Sequence, residues 1–245
     1  MNVLLVADLH YTLQQYDWLQ QVAAEFDAVV IAGDLLEVAS PVPREGQMIA
    51  VLKHLEALQK KTFLMVCSGN HDLTGRNEAG EKSAVWMREV RNLNIPCDGQ
   101  TLTQHDLTIS ICPWWDGPHS QKQVLSQLTE DAQQRQHRWV WVYHAPPEDT
   151  SISCIGNRTV GDSVLREWSG QFSPDAVLCG HIHNAPFLQN GSWIDRIGKT
   201  IVLNPGKQIG AVPSHIILDT TRMEASWHSL MGTTTAPLQS SSDGP

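Results

Sequence analysis

Met1-Asn2-Val3-Leu4-Leu5-Val6-Ala7-Asp8-Leu9-His10 opens the chain with an apolar run that stops on two side chains able to bind metal. An unbroken aliphatic succession reads as a strand buried on both faces. Asp8 and His10 come immediately after it, where the strand has to end. The same unit recurs four times along the chain. Ala28–Ala32 precedes Gly33-Asp34, and Phe63–Cys67 precedes Gly69-Asn70-His71-Asp72. Trp139–Tyr143 precedes His144, and Ala176–Cys179 precedes Gly180-His181-Ile182-His183. Strand C-termini share one edge of a sheet, so ligands placed there converge. An extended chain sends residues i and i+2 to the same side, which lets Asp8 with His10, and His181 with His183, aim two donors at one point. The glycines before Asp34, Asn70 and His181 suit the abrupt passage from strand to loop. Together the five motifs offer the oxygen and nitrogen donors of a two-metal site.

Asp-x-His, Gly-Asp, Gly-Asn-His-Asp, His and Gly-His-x-His, in that order, resemble the calcineurin-like metallophosphoesterase superfamily, and the resemblance runs over about residues 1–230. It implies a four-layer αββα sandwich of two mixed sheets flanked by helices. It also implies a ligand set: Asp8, His10 and His183 on one metal, Asn70, His144 and His181 on the other, and Asp34 on both. The implied reaction is hydrolysis of a phosphoric ester by a metal-bridging hydroxide. His71 matches the superfamily histidine that gives a hydrogen bond or proton to the leaving oxygen, with Asp72 as a candidate to orient it. Imidazole, carboxylate and amide ligands without thiolate suit Mn, Fe, Zn, Co or Ni better than Ca or Mg. The implied substrate is a small phosphodiester such as a cyclic nucleotide. Phosphomonoesterases, protein phosphatases, nucleases, lipid pyrophosphatases and a non-catalytic scaffold share the superfamily and are the alternatives.

Composition narrows these. The chain has 245 residues, 17 Lys and Arg against 26 Asp and Glu, and a formal net charge of −9. Capture of long nucleic acid needs clustered basic residues, so that partner is not expected. The site itself differs in sign: two dications against the carboxylates of Asp8 and Asp34 leave about +2 to attract a phosphate. No apolar run approaches the ~18 residues of a membrane span. Cys67, Cys97, Cys112, Cys154 and Cys179 make an odd count without CxxC spacing, as expected of reduced thiols in a cytoplasm. The length suits one catalytic domain over residues 1–230. Residues 231–245, rich in Thr and Ser, read as a flexible polar tail.

Between the strands, Met48, Val51, Leu52, Leu55 and Leu58 fall on one face of a helix over Arg44–Lys60. Further helices are expected near Leu13–Phe26, Glu78–Arg91, Gln121–His137 and Asp162–Trp168, with Asp162 as an N-cap. Late strands are expected near Leu107–Ile111, Thr200–Leu203, His215–Asp219 and Met223–Trp227. Gly198-Lys199-Thr200 looks like the end of a P-loop, but Trp193 stands where its first glycine belongs. Trp114 and Trp115 sit on a turn-rich loop, where packing as a hydrophobic lid competes with stacking on a substrate. Arg76 and Arg158 follow metal-site motifs and are the candidate phosphate contacts that carry no assignment.

Overall fold

The computed structural model describes residues 1–239. In chain order its strands are β1 (Asn2–Val6), β2 (Ala28–Ala32), β3 (Phe63–Cys67), β4 (Gly75–Arg76), β5 (Lys82–Ser83), β6 (Gln100–Gln104), β7 (Leu107–Ile111) and β8 (Arg138–Val142). They continue with β9 (Cys154–Ile155), β10 (Arg158–Thr159), β11 (Ala176–Leu178), β12 (Ile194–Ile197), β13 (Thr200–Leu203), β14 (His215–Asp219), β15 (Glu224–Ser229) and β16 (Gly232–Pro237). The α-helices are α1 (Leu13–Val22), α2 (Arg44–Gln59), α3 (Met87–Asn92), α4 (Pro118–Gln134) and α5 (Ser163–Phe172). Two six-stranded mixed sheets run β16-β15-β14-β1-β2-β3 and β12-β13-β11-β8-β7-β6. The β1–β2–β3 pairings are parallel, as are β7–β8, β8–β11 and β11–β13.

Alternation along each central strand explains the layering. In β1, Val3 and Leu5 face the inter-sheet core with Val30, Met65, Ile109 and Ile216. Leu4 and Val6 face the other way, against Tyr16 and Leu19 of α1 and Val51, Leu55 and Leu58 of α2. On the second sheet, Trp139, Trp141 and Val177 meet Val124 and Leu128 of α4 and Leu165 and Trp168 of α5. Strands apolar on both faces are what a sheet covered on both sides requires. The expected αββα sandwich is thus present, and among the described residues no helix is long and apolar enough to cross a membrane. All five cysteines are buried and free.

Some local expectations change. The helix expected over Glu78–Arg91 is mostly a hairpin of β4 and β5, and only α3 at its end is helical. The Asn77 side-chain oxygen accepts from the amides of Ala79 and Glu81, and Gly80 takes a φ of +82°, so a turn wins there. Asp162 does cap α5, accepting from the Leu165 amide at 2.9 Å. The polar stretch from residue 231 does not start as a tail. Its β-branched Thr233, Thr234 and Thr235 lie in β16, which pairs antiparallel with β15 as an edge strand. The rest of that expected tail, residues 240–245, lies outside the described residues.

Candidate metal centre

The five motifs meet where the strands end. Loops after β1, β2 and β3 bring Asp8, His10, Asp34, Asn70 and His71 from the first sheet, and loops after β8 and β11 bring His144, His181 and His183 from the second. Backbone bonds lock neighbouring motifs together: the Asp8 amide donates to the Gly33 carbonyl at 3.1 Å and the His10 amide to the Asp34 carbonyl at 2.9 Å. The His181 amide donates to Asp8 Oδ2 at 2.9 Å, which ties one sheet to the other.

The local backbone is unusual at these positions. Asp8, His10, Asp34 and His181 all have positive φ, of 56°, 42°, 54° and 69°. Such conformations cost about 1–3 kcal/mol each for residues with a Cβ and cluster where geometry outranks stability. Two glycines make room. A Cβ at Gly33 would lie 2.4 Å from His144 Nδ1, and one at Gly69 would lie 2.2 Å from Asp34 Oδ1.

Three groups of donors are close enough to share a cation: Asp8, His10 and His183; Asp34, His144 and His181; and, between them, His10, Asp34 and His71. Asp34 Oδ2 is 3.5 Å from His10 Nε2 and 3.1 Å from His144 Nε2, so this carboxylate stands between the groups. His144 Nδ1 is 2.7 Å from the Ala32 carbonyl, which fixes the proton there and turns Nε2 to the centre. His144 Nε2 and Asn70 Oδ1 are buried with no hydrogen-bond partner among the described residues. A buried polar atom left unpaired costs about 1–3 kcal/mol. An orphaned Asn70 Oδ1, and a His144 Nε2 turned to the Asp34 carboxylate, fit a divalent-cation site.

Electrostatics follow from this crowding. Burial alone would raise the Asp8 carboxyl, but contacts with His10 and His183 and the charge of His144 outweigh it and hold it well below the usual carboxylate range. Asp34 is likewise lowered, against its burial, chiefly by His144. Burial disfavours a charged His144, yet the Asp34 carboxylate overrides it and lifts His144 to about 9. Burial and the neighbouring His144 push His181 down to about 4. His71 is lowered too, mainly by burial.

Three residues outside the motif reading shape the site. Glu37 reaches between two histidines, with Oε2 3.2 Å from His10 Nδ1 and Oε1 3.4 Å from His71 Nδ1. Its loop is braced by buried Gln47, which accepts from the Glu37 amide at 2.8 Å and donates to its carbonyl at 3.0 Å. Glu37 stands three residues after Asp34, a spacing that could have drawn attention to it. The half-buried Lys207 donates its backbone amide to the His183 carbonyl at 3.0 Å, and its side-chain charge is felt by Asp8, Glu37 and Asp34. Trp114 has its ring centroid 5.3 Å from that of His181 and 5.8 Å from that of His144. Its neighbour Trp115 stacks on Tyr143 at 4.0 Å and packs on Trp168; Trp114 is itself stacked toward Tyr143 at 6.1 Å, so it spans core and site while Trp115 belongs to the core.

Asp72 does not orient His71. Its buried carboxylate accepts from the amides of Leu35, Leu36 and Gly69, holding the loop after β2 against the loop after β3. Burial and the nearby Asp34 push it up to about 7. Neither candidate arginine contacts the centre: Arg76 bonds the Gly80 carbonyl within its own hairpin, and Arg158 is exposed on the β9–β10 hairpin. Arg44 is also committed, donating to the carbonyls of His71 and Leu73 at 2.8 and 3.0 Å.

Known proteins share this fold. The profile of the calcineurin-like phosphoesterase superfamily domain matches residues 1–223. No curated protein matches the sequence. Among solved structures, the Thermus thermophilus protein TT1561 superposes with a TM-score of 0.62 at 13% identity, over 97% of this chain and 99% of that one. The purple acid phosphatase PPD1 of yellow lupin (Lupinus luteus) seeds gives 0.60 at 13% identity, over 96% of this chain and 53% of its own. A dimetal phosphatase from Danio rerio gives 0.55 at 10% identity, over 98% and 99%. At such identities these three similarities speak for the fold, whereas the superfamily profile covers most of the sequence. This chain belongs to the calcineurin-like phosphoesterase superfamily, and with it to the hydrolases that use divalent metal to break phosphoric ester bonds.

Proposed function

We propose that the protein hydrolyses a small phosphodiester, of which a cyclic nucleotide is the type, at a dinuclear centre. Asp8, His10 and His183 hold one divalent ion, Asn70, His144 and His181 hold the other, and Asp34 serves both. The observation that carries the ligand set is the convergence of Asp8, His10 and His183, and of Asp34, His144 and His181, into groups of cation-sharing size, with Asn70 Oδ1 buried and unpartnered among the described residues. When bound, the ions supply Lewis-acid charge and a water acidified toward neutral pH. The protein supplies the rest. The Glu37 carboxylate lies beside the Nδ1 atoms of His10 and His71 and favours the charged form of His71, and His71 gives a proton to the departing oxygen. Trp114 offers a ring face at the rim, on which a base or another planar group of the substrate stacks.

The diester preference rests on charge. A monoester dianion gains more from bidentate guanidinium contacts than a diester monoanion does, and Arg44 and Arg76 spend contacts on backbone carbonyls. A monoesterase reading draws on Lys207, the cation that the site carboxylates feel. The deciding experiment compares kcat/KM for bis-p-nitrophenyl phosphate and p-nitrophenyl phosphate on metal-reconstituted protein. The diester is expected to be the better substrate; a clear preference for the monoester would reverse the assignment while leaving the metal centre intact.

Trp114→Ala is expected to raise KM for aryl or nucleotide diesters about five-fold or more, from the ~1–3 kcal/mol of an aromatic stacking contact, with little change in kcat. An alkyl diester should show no such effect. Equal KM changes for both substrate types would exclude stacking as the role of Trp114.

Metal loading should depend on pH in a defined direction. In metal-free protein His144 is raised to about 9, so below that pH it is protonated and a cation must expel the proton to bind. Apparent affinity should climb about tenfold per pH unit for that proton and level off above about pH 9. Metal titrations in a series of buffers would report it, and a flat profile from about pH 6 to about pH 9 would count against His144 as a ligand.

A further inference from the structure

The catalytic motifs occupy the end of the sandwich where the parallel strands finish. At the other end, where β1, β2, β3, β8, β11 and β13 begin, the described residues of the two sheets leave a cavity of about 370 Å³, lined also by Leu238 and Gln239, the last of those residues. Close-packed interiors leave few voids larger than a water molecule, whereas small-molecule sites run from about 300 to 1,000 Å³. This space is therefore the size of a ligand site. Its walls include Val30, Met65, Ile109, Val140, Leu178 and Ile201. Such walls give water few hydrogen-bond partners, which favours an apolar occupant.

The mouth has a different character. Arg138, Arg196, Lys199 and Asp175 line it, three cations to one carboxylate in a chain whose acids outnumber its bases 26 to 17. Asp175 is committed to structure, since its carboxylate accepts from the Trp139 amide at 2.6 Å. Arg138 is paired with Asp106, and its other terminal nitrogen has only the Met223 sulfur, a weak acceptor, at 2.7 Å. Arg196 reaches the Pro237 carbonyl at 3.3 Å, and Lys199, exposed on the β12–β13 turn, makes no ion pair among the described residues. The Gly198-Lys199-Thr200 stretch that fails as a P-loop thus puts a free ammonium at the rim of an apolar cavity.

We propose that this cavity is a binding site for an anionic single-chain amphiphile of the fatty-acid type, with the alkyl chain between the sheets and the head group on Lys199 and Arg196. The site is separate from the metal centre, so occupancy and phosphoester turnover can be followed independently.

Calorimetric titration of the metal-loaded full chain with dodecanoate, below its micelle concentration, tests the proposal. One saturable site is expected, with dodecan-1-ol binding at least about five-fold more weakly for want of charge. Lys199→Glu combined with Arg196→Glu should weaken dodecanoate about ten-fold or more. Filling the cavity by Ala176→Phe, or independently by Val140→Phe, should abolish binding while turnover of bis-p-nitrophenyl phosphate reports an intact fold. The proposal is overturned by the absence of saturable binding, by unchanged affinity in a folded cavity-filled variant, or by indifference to charge at the mouth. Sedimentation showing a dimer that dodecanoate does not dissociate would assign the cavity to a contact between copies and equally overturn it.

Discussion

Asp34→Asn will strip metal from the protein and lower turnover by about a thousand-fold or more, the scale set by losing several kcal/mol of metal-borne charge stabilisation. The change is nearly isosteric, and the Oδ1 that accepts from the His71 amide at 2.8 Å can stay in place. What goes is the negative charge standing 3.5 Å from His10 and 3.1 Å from His144. Two dications held side by side in a buried site repel one another, and the carboxylate between them offsets that repulsion. Metal content by elemental analysis should therefore fall for both ions together, with the fold checked by circular dichroism. A variant that kept two ions and near-normal turnover would remove Asp34 from its shared position.

The second large effect separates two histidines that look alike in sequence. His144→Ala should cost metal, because Nε2 is a buried donor with its partner nitrogen already fixed on the Ala32 carbonyl. His71→Ala should keep metal and lose about 100–10,000-fold in kcat on esters with poor leaving groups, the usual range for a general acid. On p-nitrophenyl esters, whose leaving group needs no proton, the loss should shrink. Glu37 makes the distinction physical, since its carboxylate lies 3.4 Å from His71 Nδ1 and biases that ring toward a fixed orientation. Equal losses on alkyl and nitrophenyl esters would deny His71 the proton-transfer role.

The central strands are legible in the sequence because β1, β2 and β3 are buried on both faces and so carry no polar interruption. Each motif can be placed for the same reason, as the first polar residues after such a run. Edge strands are harder to see. In β6, Gln100-Thr-Leu-Thr-Gln alternates and is half solvated, and in β16 the threonines face water, so neither has the apolar signature of a core strand. Glu37 escapes a reading by motifs because its contacts cross from the loop after β2 to the loops after β1 and β3, a proximity that only the parallel pairing creates. Trp114 and Trp115 are inseparable on composition. In space Trp115 packs against Tyr143 and Trp168, whereas Trp114, also stacked toward Tyr143, reaches His144 and His181 as well. Asp72 misleads because the nearest histidine in sequence is a tempting partner, whereas three backbone amides surround its carboxylate in space.

The ligands proposed here hang from both sheets, Asp8, His10, Asp34 and Asn70 from one and His144, His181 and His183 from the other. A loaded centre then works as a rivet through the top of the sandwich, since peeling the sheets apart means releasing the ions. A cation present at a hundred times its dissociation constant adds about 2.7 kcal/mol to the folded state, a large share of the ~5–15 kcal/mol that holds a typical domain together. For this protein chelators would be denaturants as well as inhibitors, and metal starvation would thin the pool of folded molecules along with the pool of active ones.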